Sequence, residues 1–259
     1  MGGSYAVQKI NYLNQTLLRV SKIAEQFAKA KRAFLDALFP IYCAGCRREG
    51  YWLCPDCTAA IRIMPLFLCP GCGRLSPGGM THPRCSTLTP LSALVSPYHY
   101  ANPSIRRLIK DYKYHGALPI ERLLVGLTGN GARSLRTLFP QEAVIVPMPL
   151  YGSRERERGF NQAATLARAL GQALSLKVAM PLSRIRRTEE QARLTSAERR
   201  ENCQRAFACT PLAGDYILVD DVVTSGATMR AAAEALKKAG ARRVTGFALA
   251  HGRGDRFET

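Results

Sequence analysis

The residues with the clearest chemical purpose are two adjacent carboxylates, Asp220 and Asp221. They close an apolar run, Tyr216-Ile217-Leu218-Val219, with the composition of a buried strand. Ionised carboxylates in such a place need partners, such as sugar hydroxyls or a metal ion. Thr224, Ser225, Gly226, Ala227 and Thr228 follow, all small, hydroxylated or glycine, and a helical pattern continues to about Ala239. That loop offers backbone N–H groups, hydroxyls and the positive end of a helix to a phosphate. Acids that can hold a diol, beside a loop that can hold a phosphate, describe a ribose 5-phosphate. An acidic turn with Thr224 or Ser225 as an ordinary helix cap would account for a lone Asp-Asp pair. It gives no reason for the whole string.

Cysteines form the second constellation. Seven of the nine lie between residues 43 and 85, and six of these make three C-x2-C pairs: Cys43/Cys46, Cys54/Cys57 and Cys69/Cys72. His82 and Cys85 repeat the spacing. A C-x2-C turn sets two thiolates on one side of a tight knuckle, and two knuckles complete a tetrahedral Zn2+ site. Eight such residues suffice for two zinc ions. Sequential pairing is expected, with the first four as one site and the last four as the other; a cross-brace has compatible spacing. A segment this small buries little apolar area, so metal is expected to stabilise it. Cys203 and Cys209 stand outside the pattern.

The elements that must position these groups can be read from the apolar patterning. Ala143–Val146 reads as a strand running into Pro147-Met148-Pro149, and about 161–175 as a helix. Tyr216–Val219 and Arg243–Ala250 read as further strands, separated by the helix after the phosphate loop. Strand–helix–strand alternation implies an α/β fold with a parallel sheet and ligands at the carboxyl ends of its strands. Residues 183–206 are rich in Arg and Glu and read as a solvent-exposed segment. Residues 11–38 show apolar positions at three-, four- and seven-residue steps and read as an amphipathic helix. Its expected place is against its own domain, with a partner helix or an anionic membrane surface as alternatives. The expected division is 1–38 for this helix, 39–90 for the cysteine segment and 91–259 for the α/β domain.

Two further strings are Arg156-Glu157-Arg158-Gly159-Phe160-Asn161-Gln162-Ala163 and Arg187-Thr188-Glu189-Glu190-Gln191-Ala192-Arg193-Leu194. With Leu38-Phe39-Pro40-Ile41-Tyr42-Cys43 and the knuckles, they resemble the ComF/GntX family over about residues 34–251. The string 216–228 also resembles the phosphoribosyl pyrophosphate (PRPP) motif of type I phosphoribosyltransferases, with Thr-Ser-Gly where Thr-Thr-Gly is usual. The resemblance implies a type I phosphoribosyltransferase-like parallel sheet preceded by a small zinc-ribbon domain. It implies that Asp220 and Asp221 hold ribose hydroxyls and that Thr224, Ser225, Gly226, Ala227 and Thr228 hold the 5-phosphate. Pro147 and Met148 correspond to the pyrophosphate loop, and Arg156 and Arg158 stand beside it. Mg2+ would enter with PRPP, held largely by the ligand's own oxygens. The Arg-rich segment 184–205 would correspond to a loop that closes over PRPP. His82 replaces a cysteine often found in the family.

Length and charge bound the function. The chain has 259 residues and a net charge of +18, with 11 basic and 4 acidic residues in its first 90. It has no apolar run long enough to span a bilayer, and Lys9, Arg19, Lys22, Lys29 and Lys31 break any signal-peptide core, so a cytoplasmic protein is expected. The positive excess points to a phosphate-rich partner. Residues 106–116 add a basic patch, read either as a site where Tyr112 or Tyr114 stacks on a base or, equally, as a helix that packs Leu108, Ile109 and Tyr112 inward. The family resemblance implies single-stranded DNA as that partner, in DNA uptake during natural transformation, alongside other uptake proteins at the inner membrane. An active transferase of nucleobase or amine metabolism is the alternative, and a structural adaptor in an uptake complex is a third reading. No residue stands out as a general base; Tyr98, His99 and His115 lack a supporting pattern.

Overall fold

The structure, a computed structural model, describes residues 40–115, 118–185, 206–211 and 213–252. The expected helix over 11–38 and most of the Arg-rich segment lie outside the described residues. The chain divides into two compact units, residues 1–54 and 55–259.

In the first unit, the described residues form one knuckle. The Cys43 N–H donates to the Arg48 carbonyl at 2.9 Å, and the Arg47 N–H donates to the Cys43 carbonyl at 3.1 Å. Arg47 takes a left-handed backbone, φ 67°, to close this turn. Its guanidinium carbon lies 5.4 Å from the centroid of the Tyr42 ring, a cation–π contact that offsets part of that strain.

The second unit opens with a short helix, α1 (Pro55–Ala60), and a second knuckle of the same design. Here the Cys69 N–H donates to the Arg74 carbonyl and the Gly73 N–H to the Cys69 carbonyl, both at 2.8 Å. Gly73 takes the left-handed conformation that Arg47 takes in the first knuckle, here without the cost of a Cβ. The segment after it is stitched to the sheet: Thr81 N–H donates to the Ser92 carbonyl, and Met80 bridges to Ala93.

The sheet contains β1 (Ala93–Val95), β2 (Tyr98–His99), β3 (Val144–Pro147), β4 (Lys177–Val178), β7 (Gly214–Val223) and β8 (Ala241–His251). All pairings in it are parallel, in the order β1-β8-β7-β3-β4, with β2 following β1 along β8. Helices α2 (Pro103–His115), α3 (Leu118–Ser134), α4 (Gly152–Arg158), α5 (Gln162–Leu174) and α6 (Ala227–Lys238) connect it. Ile217, Leu218 and Val219 are fully buried on both faces of central β7, as a continuous apolar run requires. Outside this sheet, β5 (Leu182–Arg184) and β6 (Phe207–Cys209) pair antiparallel, flanking the Arg-rich segment. That ribbon has no clear signal in the sequence.

Local chemistry starts the helices where expected. The Asn161 Oδ1 accepts from Ala163 and Ala164 N–H and caps α5, a contribution of about 1 kcal/mol. The Asn102 Oδ1 accepts from Ser104 and Ile105 N–H at the head of α2. Tyr112 on α2 is 1 % exposed; its hydroxyl donates to Glu121 on α3 at 3.0 Å and lies 3.3 Å from the Thr165 hydroxyl on α5. Its ring packs 4.8 Å from that of Phe160. Tyr112 is therefore a core residue with Leu108 and Ile109 and not a stacking platform, which decides for the inward-packing helix at that position. Tyr114 stays exposed.

Candidate functional site

Connections determine where the site lies. From β3 the chain passes through α4 and α5 to β4 on one side; from β7 it passes through α6 to β8 on the other. The two paths part between β3 and β7, and a crevice opens outside the carboxyl ends of strands at such a switch point. Pairing between these strands ends at Pro147 opposite Val219, closed by the Met148 N–H to the Val219 carbonyl at 2.7 Å. Strand β7 continues beyond that point against β8 alone, so Asp220 and Asp221 overhang the end of β3.

The loop over the crevice is short. Strand β7 ends at Val223, Thr224 and Ser225 are exposed, and α6 begins at Ala227. Gly226 is the cap, with φ 69°, and the Ser225 Oγ accepts the Ala227 N–H at 3.5 Å. Ser225, one of the two residues weighed as an ordinary cap, thus reaches one first-turn N–H, while a left-handed glycine holds the cap position itself. A glycine at the cap leaves further first-turn N–H groups of α6 for a ligand. The Arg230 Nη1 donates to the Ser225 carbonyl at 2.8 Å and tethers the loop from within α6.

Pro147 and Met148 are buried, so only their backbone can serve a ligand. The Asn161 Nδ2 donates to the Met148 carbonyl at 3.1 Å. One side chain thereby caps α5 and pins the start of the loop after β3. Of the two arginines expected there, Arg158 donates to the Gln162 Oε1 at 3.2 Å and Arg156 is exposed on α4. Neither is shown against the carboxylates.

The carboxylates are met by other cations. The Lys113 Nζ lies 2.6 Å from the Asp221 Oδ2, with both side chains largely buried. Asp220 accepts the Asp221 N–H at 2.9 Å. Burial, with Asp221 as a like charge beside it, pushes the Asp220 carboxyl up to about 7, and Lys113 and Arg184 pull it only partly back. Sequence reading missed both cations as site residues. Lys113 is far from the motif along the chain, and its only signal was the basic patch on α2. Arg184 borders the Arg-rich segment, and its signal was that composition.

The cysteine residues assemble as two groups of four, Cys43/Cys46/Cys54/Cys57 and Cys69/Cys72/His82/Cys85. Within each group the ligand atoms all lie within 4.8 Å of one another. A tetrahedral Zn2+ with bonds of about 2.3 Å to sulfur sets its sulfurs about 3.8 Å apart, so both groups have the dimensions for such an ion. Pairing is sequential rather than crossed. The His82 ring faces its group through Nδ1, 3.4 Å from the Cys72 Sγ. Burial works against the Cys43 thiolate, but N–H groups of Cys54, Cys46 and Gly45 outweigh it and lower the thiol to about 6. Cys69 is lowered by the same device against the same opposing burial, through His82, Cys72 and Gly71 N–H groups. Burial, reinforced by Cys72 and Cys69, raises Cys85 to about 11. Each group thus has one thiol whose ionisation is favoured, and the second also has one whose ionisation is opposed by burial and its neighbouring thiols.

Fold, crevice and clusters define a phosphoribosyltransferase-like α/β protein joined to segments that could form zinc ribbons. The Phosphoribosyl transferase domain family matches residues 157–258. The chain is 32% identical to DNA utilization protein YhgH of Escherichia coli O157:H7, over 81% of this chain and 96% of that protein. It is 28% identical to Competence protein F of Haemophilus influenzae, over 80% of this chain and 89% of that protein. Competence protein ComFC of Bacillus subtilis is 29% identical over 76% and 83% of the two chains. The chain belongs to the ComF/GntX family.

Proposed function

We propose that the crevice between β3 and β7 binds PRPP together with Mg2+, and that the protein handles single-stranded DNA during DNA uptake. One observation carries the first half: adjacent carboxylates overhang a switch point beside a helix that begins at a left-handed glycine. In this reading Asp220 and Asp221 accept hydrogen bonds from the ribose hydroxyls. Residues 224–228 give N–H groups and hydroxyls to the 5-phosphate. The backbone at Pro147 and Met148, with Arg156 and Arg158, serves the pyrophosphate. Mg2+ neutralises phosphate charge, held mainly by the ligand's oxygens. The Lys113–Asp221 pair is partly screened and contributes about 1 kcal/mol, little enough for a ligand to displace.

The second half is supported by the relatives named for competence and DNA utilization and by the net charge of +18. Each cysteine group is assigned a structural Zn2+, since soft thiolates with imidazole in sets of four suit that ion. The reading places the protein on the cytoplasmic side of the inner membrane, with other uptake proteins as partners.

Titration calorimetry with Mg-PRPP tests the pocket. Binding in the micromolar range is expected, and Asp221→Asn should weaken it at least tenfold while leaving the thermal unfolding midpoint within a few degrees. No heat at high micromolar PRPP would remove the pocket assignment. The family match favours a second reading, a working transferase of nucleobase or amine metabolism. Release of pyrophosphate on adding an acceptor, lost in Asp221→Asn, would establish it.

A further inference from the structure

Helix α2 buries Ile105, Leu108, Ile109 and Tyr112, and its remaining faces carry four cations and one free ring. Two cations are engaged: Arg107 with Asp111 at 3.5 Å, and Lys113 with Asp221. Arg106 and Lys110 are exposed and have no acidic partner among the described residues. Tyr114 is 82 % exposed. Arg106, Lys110 and Tyr114 are four residues apart in turn, so they share one helix face. The row is about 12 Å long at 1.5 Å per residue, long enough to follow more than one phosphate of an extended strand. It ends beside Lys113, at the rim of the crevice.

We infer that this face of α2 is a track for single-stranded nucleic acid, with phosphates on Arg106 and Lys110 and an unstacked base on Tyr114. This rests on the proposed handling of single-stranded DNA and locates it. The charge of the row is complementary to a phosphate backbone. The exposed ring selects a single strand, because stacking on tyrosine needs a base face that a duplex keeps covered. An acidic peptide would satisfy the cations but leaves the ring unexplained. Tyr114 is also not fixed by the core: Tyr112 fills that role two residues earlier.

Fluorescence anisotropy with a labelled thymidine oligonucleotide and the full chain tests the track across a salt series. Arg106→Gln with Lys110→Gln should weaken binding about tenfold near 0.1 M salt and reduce the salt slope by about 1.4, at roughly 0.7 per phosphate contact. Tyr114→Ala should weaken it about tenfold with the slope unchanged, as loss of one stacked base predicts. Arg122→Gln, an exposed cation on α3, is the control and should bind like the parent chain. If Arg122→Gln loses as much as the double variant, attraction is diffuse and the track is wrong. Equal affinity for a duplex, or an unaffected Tyr114→Ala, would overturn it too. If the parent chain binds no oligonucleotide at low salt, the underlying reading fails; binding untouched by the α2 variants removes only the track.

Discussion

Asp220 and Asp221 occupy neighbouring positions but different electrostatic situations. Asp221 has a lysine at 2.6 Å. Asp220 is half-buried beside that acid, and desolvation with the like charge pushes its carboxyl up to about 7. Because the folded value lies above the unfolded one, the folded chain keeps a proton that the unfolded chain releases between about pH 4 and 7. Asp220 therefore lowers stability as pH rises through that window. Ribose hydroxyls donate hydrogen bonds, so they favour the carboxylate, and ligand binding must remove the proton. Mg-PRPP affinity is expected to rise as pH goes from 6 to 8 and to level off above the Asp220 midpoint. PRPP's own phosphate titrates in the same region, so Asp220→Asn is the reference. Calorimetry at three pH values in two buffers of different ionisation enthalpy should show proton release by the parent chain in excess of that by the variant. Equal release by both would show that Asp220 is already ionised in the free protein.

At the scale of elements, legibility followed range. Strand β7, helix α6 and strand β8 could be read because an apolar run, a glycine loop and a second apolar run follow one another directly. The knuckles could be read because both thiols of each pair sit in one turn. The ends were less clear: β7 runs on through Asp220 and Asp221 to Val223, since pairing with β8 holds acids that composition alone would exclude from a strand. Strands β1, β2 and β4 are two or three residues long and leave no periodicity to detect. The Lys113–Asp221 pair and the β5–β6 ribbon are tertiary, and no local pattern encodes them. The stitching of the second knuckle to β1 also has a testable consequence. The Thr81–Ser92 bond and the Met80–Ala93 bridge tie the metal segment to the edge of the sheet. Chelation of metal should make residues 40–90 protease-sensitive and speed amide exchange at Ala93–Val95, while β7 stays protected. Mass-spectrometric exchange would read this. A protease-resistant 40–90 segment after metal removal would refute a structural role for zinc.

For the whole molecule, the question is how an anionic small ligand and an anionic polymer share one basic surface. The track on α2 and the crevice meet at Lys113, which already neutralises Asp221. In the proposed reading Mg-PRPP would bring several negative charges to Asp221 and its partner Lys113, the neighbour of Tyr114 in α2. Each pair of unit charges 10 Å apart in water interacts by roughly 0.4 kcal/mol, cut to about 0.15 kcal/mol by screening at 0.1 M salt, so about seven such pairs between the ligand's charges and the strand's phosphates amount to about 1 kcal/mol, or about fivefold in affinity. Release of Lys113 from Asp221 adds one cation to the track and acts in the opposite direction, but one lysine is outnumbered by the ligand's charges. The two ligands should therefore antagonise each other: saturating Mg-PRPP weakens oligonucleotide binding about fivefold near 0.1 M salt. By linkage the oligonucleotide must weaken Mg-PRPP by the same factor. The effect should fade above about 0.5 M salt, where screening shortens the reach of the charges. It should vanish in Asp221→Asn, which does not hold the small ligand at the same concentration. Anisotropy titrations with and without Mg-PRPP measure one direction and calorimetry the other. Tighter oligonucleotide binding in the presence of Mg-PRPP would mean that the freed Lys113 dominates, and would reverse the assigned order of these two effects.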